Sequence, residues 1–151
     1  MAGFAYTRRV LVCEDDPAMV RIFRFLLQQQ GISNVSTTTR GETVKDMAER
    51  EKPDLILLDL MLPGKDGLAV LNELKKHPAT SEIPVVVVSG KESQEQVNQA
   101  MMAGALDYVI KPFDPVEMGQ RIRNFLSSLD QPVSPEESTP PPPDAAIGGV
   151  Q

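Results

Sequence analysis

The chain has 151 residues, of which 41% are hydrophobic and 24% charged, a size and composition typical of one soluble globular domain. Its formal net charge of −6 argues against nonspecific nucleic-acid binding, which needs clustered lysine and arginine side chains. A single cysteine excludes an intramolecular disulfide, and the sequence shows neither a signal peptide nor an apolar stretch of the ~20 residues that a membrane span needs, so we expect a cytoplasmic protein without membrane contact.

Short apolar runs and helical patterns alternate along the chain. The predicted strands are Arg9–Cys13, Asn34–Thr37, Leu55–Leu58, Val85–Val88 and Asp107–Ile110. The predicted helices are Pro17–Gln30, Glu42–Arg50, Gly67–Lys76, Ser93–Met102 and Pro115–Leu129. The runs Leu-Ile-Leu-Leu and Val-Val-Val-Val are apolar at every position, which is typical of parallel strands that helices cover on both faces. This (βα)5 order predicts an α/β fold with right-handed crossovers.

Polar residues and glycines mark the ends of the predicted helices. Asp16, Asp66 and Asp114 stand where an N-cap is expected, and a proline follows the first and the last of them at the first helical position. Gly31 and Gly104 stand just beyond the ends of two helices, where glycine is favoured.

The composition changes near the end of the chain. From Asp130 onward there are four acidic residues, many prolines and no lysine or arginine. We therefore predict an N-terminal extension over residues 1–7, a folded domain over residues 8–129, and an acidic, proline-rich tail over residues 130–151 that stays disordered.

Acidic and basic residues follow three of the predicted strands. Glu14 and Asp15 follow the first strand, Asp59 follows the third, and Lys111 follows the fifth. Because the carboxyl ends of parallel strands lie along one edge of the sheet, these side chains should share one pocket. Crowded carboxylates favour a hard divalent ion such as Mg²⁺, and carboxylates with a metal and a lysine are typical of phosphoryl chemistry.

The pattern Glu14-Asp15, Asp59, Ser89 and Lys111-Pro112, in this order at strand ends, resembles the receiver domain of two-component response regulators. The resemblance covers about residues 8–129. It implies a doubly wound, flavodoxin-like sheet with strand order 2-1-3-4-5 and helices on both faces.

The resemblance also implies a phosphorylation site and a metal site. Asp59 would be the phosphoacceptor, since a carboxylate can attack phosphorus to give an acyl phosphate. Mg²⁺ would be bound by Asp15 directly, by Glu14 through water, by Asp59, and by the backbone carbonyl of Met61. Asp16 is interpreted as a helix cap only.

Other residues would respond to the phosphoryl group. Lys111 would contact a phosphate oxygen as a fixed positive charge, directed inward by a cis bond to Pro112. Ser89 would move toward the phosphoryl group, and Tyr108 would change rotamer with it, so that the fourth helix and fifth strand form the output surface.

The implied function is that of a single-domain response regulator, a phosphorylatable switch and not an enzyme that turns over other substrates. The phosphoryl donor would be a sensor histidine kinase or a histidine phosphotransfer protein, which would dock on Val20, Arg24 and Leu27 of the first helix. A downstream protein would receive the signal, without nucleic acid, and the chain would be a monomer or a weak dimer. His77, the only histidine, is interpreted as a solvated surface residue and not as an internal donor.

Four alternatives stay open. The first is the receiver part of a longer DNA-binding transcriptional regulator, and the second is a module that signals by binding without phosphorylation. The third is an aspartyl-phosphate phosphohydrolase, which would need an acid two residues after the nucleophile, where this chain has Met61. The last is a nucleotide-binding domain, which would need a glycine-rich turn after the first strand.

Overall fold

Strands and helices alternate through residues 8–91 and 93–130, the part of the chain that the computed structural model describes. The strands are β1 (Arg9–Cys13), β2 (Asn34–Thr38), β3 (Leu55–Leu58), β4 (Val85–Ser89) and β5 (Asp107–Ile110). The helices are α1 (Pro17–Gln29), α2 (Val44–Glu51), α3 (Gly67–Lys76), α4 (Gln94–Ala103) and α5 (Pro115–Asp130). A 3-10 turn at Gly41–Thr43 precedes α2.

The sheet confirms the predicted fold class. Its strand order is β2-β1-β3-β4-β5, and every neighbouring pair is parallel. The chain runs outward from β1 to β2 and then crosses back to β3, so the order reverses at β1. In open α/β sheets, ligands bind at such a switch point, beyond the carboxyl ends of the strands.

The central strands send alternate side chains into two hydrophobic cores. Leu11 and Cys13 of β1 belong to the core shared with α2, α3 and α4, whereas Val10 and Val12 belong to the core shared with α1 and α5. All residues of β3 and β4 are buried. Because each fully buried aliphatic side chain contributes about 1.5–3 kcal/mol, these strands form a rigid frame for the residues that follow them.

The helix ends agree with the predicted signals. Asp16, Asp66 and Asp114 each accept a hydrogen bond from a backbone N–H in the first turn of α1, α3 and α5. Gly31 and Gly104 have φ angles of 83° and 113°, in the left-handed region that glycine adopts without strain.

Element boundaries lie within two residues of the predicted ones. The largest difference is at α2, which begins at Val44, because residues 41–43 form the 3-10 turn. Asp130, which we assigned to the tail, is the last residue of α5. The predicted extension over residues 1–7 and the rest of the predicted tail lie outside the described residues. Among the described helices, none is long and apolar enough to cross a membrane.

One prediction about a surface residue is wrong. Leu27 was assigned to an exposed docking surface, but it is fully buried, because it belongs to the hydrophobic core between the sheet and the helices α1 and α5. The side chain of His77, assigned to the solvated surface, is 35% exposed, and its Nδ1 accepts a hydrogen bond from the backbone N–H of Ala79 at 3.1 Å.

Candidate functional site

Glu14 and Asp59 emerge side by side at the carboxyl edge of the sheet. β1 and β3 pair in parallel with Cys13 opposite Leu58, so the residue that follows each strand lies next to the other. The backbone N–H of Asp59 donates to the carbonyl of Cys13 at 3.1 Å, which extends the ladder by one residue. The strand register therefore fixes the separation of the two carboxyl groups.

Lys111 reaches the same pocket from the end of β5, the strand at one edge of the sheet. Its backbone N–H donates to the carbonyl of Ser89 at 2.9 Å, which holds the residue just beyond β5. Its Nζ contacts Glu14 Oε1 at 2.9 Å and Asp59 Oδ2 at 3.0 Å. The peptide bond from Lys111 to Pro112 is cis. One ammonium group thus bridges carboxylates that follow two different strands.

Each carboxylate uses its second oxygen to accept a backbone hydrogen bond. Glu14 Oε2 accepts from the N–H of Asp16 at 3.2 Å, and Asp59 Oδ1 accepts from the N–H of Met61 at 2.9 Å. Both oxygens of each group are therefore held, and neither side chain is free to rotate without breaking a charge-assisted hydrogen bond.

The electrostatic balance of the pocket is negative. Glu14, Asp15 and Asp59 bring three carboxylates, and Lys111 brings one ammonium. Glu14 and Asp59 are 1% and 5% exposed, whereas Asp15 is exposed. Burial is the main cause that raises the pKa of Glu14, and repulsion from Asp59 adds to it, although Lys111 and the N–H of Asp16 oppose it.

The lysine experiences the opposite environment. Burial by itself lowers the pKa of Lys111, but the hydrogen bonds and charges of Glu14 and Asp59 outweigh burial and raise it. Lys111 therefore carries its charge at every physiological pH, and it offsets only part of the negative charge around it.

The three carboxylates fit a divalent cation. Glu14, Asp15 and Asp59 can each present one oxygen such that all three oxygens lie within 4.8 Å of one another. Hard oxygen donors are the ligands that Mg²⁺, Mn²⁺ and Ca²⁺ accept, and an exposed Asp15 leaves the pocket open on one side. A bound cation would relieve the repulsion that Lys111 leaves uncompensated.

Ser89 and Tyr108 lie on the neighbouring strands β4 and β5, and both side chains bond to the backbone of Lys91. Ser89 is fully buried, and its Oγ accepts from the N–H of Lys91 at 3.3 Å. The Tyr108 hydroxyl donates to the carbonyl of Lys91 at 2.7 Å. Burial raises the pKa of Tyr108, so its hydroxyl stays protonated and remains a donor. The two predicted switch residues are thus joined through the loop after β4.

The loop from Asp59 to α3 contains a close contact that the sequence does not reveal. Its buried Leu60 and Leu62 hold it to the core, while the side chain of Met61 between them is 54% exposed. A Cβ atom added to Gly67 would lie 2.4 Å from the Cα of Leu60, so only glycine lets α3 begin this close to the loop.

Comparisons with known proteins agree with this geometry. The family model described as response regulator receiver domain matches residues 10–123. Among curated proteins, the chain is 40% identical over 117 residues to the response regulator PleD of Caulobacter vibrioides, and 36% identical over 130 residues to the phosphate regulon transcriptional regulatory protein PhoB of Escherichia coli. These alignments cover 78% and 86% of this chain but only 26% and 56% of the relatives, so the chain spans at most about half of their length.

Solved structures of single receiver domains match over their whole length. The BeF3-activated N-terminal receiver domain of Klebsiella pneumoniae RstA aligns with a TM-score of 0.71 and 31% identity, covering 82% of this chain and 100% of that one. The receiver domain of the sensor histidine kinase PA1611 from Pseudomonas aeruginosa aligns with a TM-score of 0.69 and 28% identity, covering 80% and 97%. That structure has a magnesium ion coordinated in its active site cleft.

Proposed function

The chain belongs to the receiver domain family of response regulators, and we propose that it is a phosphoacceptor switch in which Asp59 takes the phosphoryl group. The bridge from Lys111 to Glu14 and Asp59 is the observation that carries this proposal. It supports the proposal because Asp59, a second carboxylate and a fixed cation lie within one hydrogen-bonded group, which is what phosphoryl transfer to a carboxylate needs. Receiver domains are phosphoacceptor switches, and we propose in addition that this chain does not turn over other phosphoesters.

We assign the metal as Mg²⁺, held by Glu14, Asp15, Asp59 and the backbone carbonyl of Met61. The oxygen-only set of carboxylates supports this choice, as does the magnesium in the related PA1611 receiver domain. When bound, the ion neutralises charge on the carboxylates and on the incoming phosphoryl oxygens.

The proposed reaction is a direct transfer from a phosphohistidine. A carboxylate oxygen of Asp59 attacks phosphorus, an oxygen–phosphorus bond forms, and the phosphorus–nitrogen bond to the imidazole breaks. The electron pair of that bond stays on the imidazole, which recovers a proton from solvent. Lys111 stabilises the negative charge of the transferred oxygens, because its ammonium already lies 3.0 Å from Asp59 Oδ2.

The donor is a partner protein, because receiver domains take phosphate from histidine kinases. We propose a sensor histidine kinase or a histidine phosphotransfer protein in a cytoplasmic pathway. The chain's own His77 lies in the loop before β4 and bonds to the backbone of Ala79, which does not favour it as the donor. We propose that the chain is a monomer or a weak dimer before phosphorylation.

We propose that Ser89 and Tyr108 transmit the modification. Phosphorylation adds a charge of roughly −1.5 to −2 and three acceptor oxygens. The Ser89 hydroxyl would turn from Lys91 toward these oxygens, and this would change the loop whose carbonyl now accepts from Tyr108. The free energy of this population shift equals the difference between the stabilisation that the phosphoryl group gives to one state and to the other.

The proposed output surface is formed by α4, β5 and the start of α5. Met101, Leu106 and Ile110 expose large apolar side chains there. Beside them lies a cleft of about 280 Å³ that Tyr108 and Arg121 help to line. Apolar side chains next to a cleft and a charged rim are typical of a protein-binding surface. A downstream protein that binds here would sense the state of Tyr108 directly.

Intact mass spectrometry with a small phosphodonor tests the proposal. With Mg²⁺ and acetyl phosphate we expect a gain of about 80 Da, the mass of one phosphoryl group. Chelation of the metal should prevent the gain, and borohydride reduction followed by peptide mapping should locate it at Asp59. A wild-type protein that gains no mass under these conditions would instead be a module that signals by binding alone.

The pKa of Glu14 predicts how Mg²⁺ binding depends on pH. Because this pKa is raised, a proton competes with the ion, and the affinity should fall by up to about tenfold per pH unit once the pH is below it. For the same reason the metal-free fold should gain stability as the pH falls through the folded-state pKa. Calorimetric titration with Mg²⁺ from pH ~8 down to pH ~4, the ordinary range of a carboxyl group, measures the first effect. Glu14→Gln should bind more weakly and lose this contribution, and a wild-type affinity that falls no more steeply on acidification than that of Glu14→Gln would contradict the prediction.

The similarity to PhoB favours a second candidate, the receiver part of a longer DNA-binding transcriptional regulator. PhoB is named as a transcriptional regulatory protein, and this chain matches 56% of its length. Both candidates share the chemistry at Asp59 and differ in what the output surface contacts. Sequencing the gene downstream of codon 151 distinguishes them, because a DNA-binding domain there would establish the second.

A further inference from the structure

Two loops that follow β2 and β3, the strands on either side of β1, meet beside the proposed phosphorylation site. The β2–α2 loop comprises residues 39–43, and the β3–α3 loop comprises residues 59–66, which include Asp59 and Met61. The backbone N–H of Gly41 donates to the carbonyl of Pro63 at 2.9 Å. This bond ties the middle of the β3–α3 loop to an element that contributes no side chain to the proposed metal site.

The backbones approach each other more closely than a side chain would allow. A Cβ atom at Gly41 would lie 2.6 Å from the carbonyl oxygen and 3.2 Å from the backbone nitrogen of Lys65. Both atoms belong to the main chain, so the β3–α3 loop would have to shift by several tenths of an ångström to accept an alanine. Because the backbone fixes the position of a Cβ atom and Gly41 is buried, the new methyl group could avoid this contact only if the main chain moved.

The two loops meet a second time at Gly64, where an ion pair of the β2–α2 loop packs against the β3–α3 loop. Arg40 Nε donates to Glu42 Oε2 at 2.7 Å, and this pair lies over Gly64, which has a φ of 99°. A Cβ atom at Gly64 would be 1.8 Å from Glu42 Oε1. The pair therefore rests directly on the backbone of the β3–α3 loop. The carbonyl of Arg40 also accepts from the Thr43 hydroxyl at 2.9 Å, which keeps the β2–α2 loop in its own shape.

We infer that the β2–α2 loop is a positioning element for the proposed metal site, and that Gly41 is its main positioning residue. The inference rests on the proposed function, because it concerns the loop that would present the carbonyl of Met61 to Mg²⁺. Glu14 and Asp59 are fixed by the β1–β3 register, but Met61 lies in a loop whose far half is held by Gly41. Moving that half would displace the carbonyl of Met61, while the β1–β3 register keeps the backbones of Glu14 and Asp59 in position.

The test is calorimetric titration of Gly41→Ala with Mg²⁺ alone, at neutral pH. We expect about tenfold weaker binding, since residues that orient metal ligands without touching the metal cost 10- to 100-fold when they are changed. Phosphorylation by acetyl phosphate should be slow at low Mg²⁺ and recover at saturating Mg²⁺. A role in stability alone would lower the melting temperature but leave the Mg²⁺ affinity, and the Mg²⁺ dependence of phosphorylation, as in the wild type.

Gly119→Ala is the matched control. It makes the same chemical change in α5, where the new Cβ would meet only Leu26 Cδ2 at 3.5 Å, an ordinary contact. We expect its Mg²⁺ affinity to equal that of the wild type, and its melting temperature to rise slightly, because alanine stabilises a helix interior relative to glycine.

A second pair of variants covers the case in which Gly41→Ala does not fold. Glu42→Gln keeps the size of the side chain and removes the charge that holds Arg40, and it should weaken Mg²⁺ binding about twofold to fivefold. Glu49→Gln, which removes a charge from the Lys45–Glu49 pair on α2, is its control and should have no effect.

Each outcome decides a distinct point. A folded Gly41→Ala protein with wild-type affinity, or an unfolded one beside a Glu42→Gln protein with wild-type affinity, would overturn the inference and leave the phosphorylation of Asp59 intact. A wild-type protein that neither binds Mg²⁺ nor gains the phosphoryl mass would overturn the proposed function together with the inference.

Discussion

Asp59→Asn should abolish phosphorylation by acetyl phosphate in the presence of Mg²⁺. The amide has no anionic oxygen to attack phosphorus, so no acyl phosphate can form at this position. The fold should persist, because the asparagine carbonyl oxygen can still accept the N–H of Met61, the bond that Asp59 Oδ1 accepts at 2.9 Å. Intact mass spectrometry of the two proteins under identical conditions measures the result. We expect the gain of about 80 Da to disappear, with the rate of phosphorylation lowered by about 10²-fold or more.

Asp46→Asn is the matched control for this substitution. The Asp46 side chain is 75% exposed in the first turn of α2, outside the carboxylate cluster of Glu14, Asp15 and Asp59, and its ion-pair partner is Lys45 at 4.0 Å. This variant should gain the phosphoryl group at the wild-type rate. An unchanged gain in the Asp59→Asn protein would place the phosphoryl group on another residue, and the exposed Asp15 in the same cluster would be the first to map.

The sheet and the residues at its carboxyl edge could be predicted because the signals there are local. β1, β3 and β5 have the predicted boundaries, since each is a short apolar run that ends at a polar residue. Once the strands are known, the parallel order alone brings Glu14, Asp59 and Lys111 together. The bridge that Lys111 makes to both carboxylates is the geometric result of that placement.

The packing of α1 could not be predicted in the same way. Phe25 and Leu27 flank the buried Leu26 on opposite sides of the helix, so the pattern allows either one to be buried, and the choice depends on how α1 is rotated against the sheet. In the structure Leu27 is fully buried and Phe25 is 59% exposed. Because the strands and the helix that complete this core come from distant parts of the chain, periodicity within α1 does not decide between the two residues. The docking surface that included Leu27 was wrong for that reason.

The contact between Gly41 and Lys65 has the same origin. In the sequence, Gly41 is a glycine in a polar turn between a strand and a helix, where glycine is common for reasons of backbone freedom. Its structural role comes from a main chain that passes 2.6 Å from the position of a Cβ, and the residues involved are 24 positions apart. Glycines selected for close approach and glycines selected for flexibility are indistinguishable until the loops are placed.

Lys111→Met should have opposite effects on metal affinity and on phosphorylation. Methionine has a similar length but no charge, so the ammonium that lies 2.9 Å and 3.0 Å from Glu14 and Asp59 is lost. The formal charge of the cluster changes from −2 to −3, by the removal of one positive charge from three carboxylates, and a cation should then bind more tightly. Transfer should slow by about 10²-fold or more, because the charge that stabilises the phosphoryl oxygens is gone.

The same substitution should destabilise the metal-free protein at neutral pH. Because the pKa of Lys111 is raised in the folded protein, its charged form stabilises the fold. This contribution is fully present below the pKa that lysine has in the unfolded chain, and it is lost as the pH rises through the folded-state pKa. Removing one partner of such a buried pair costs about 3 kcal/mol, which Mg²⁺ should largely restore by taking its place among the carboxylates. Urea denaturation with and without Mg²⁺ measures this difference, and Lys76→Met, at an exposed position in the last turn of α3, is the control. Weaker Mg²⁺ binding combined with an unchanged rate of phosphorylation would mean that Lys111 has only a structural role, whereas tighter binding combined with a slow rate would assign its charge to the transferred phosphoryl group.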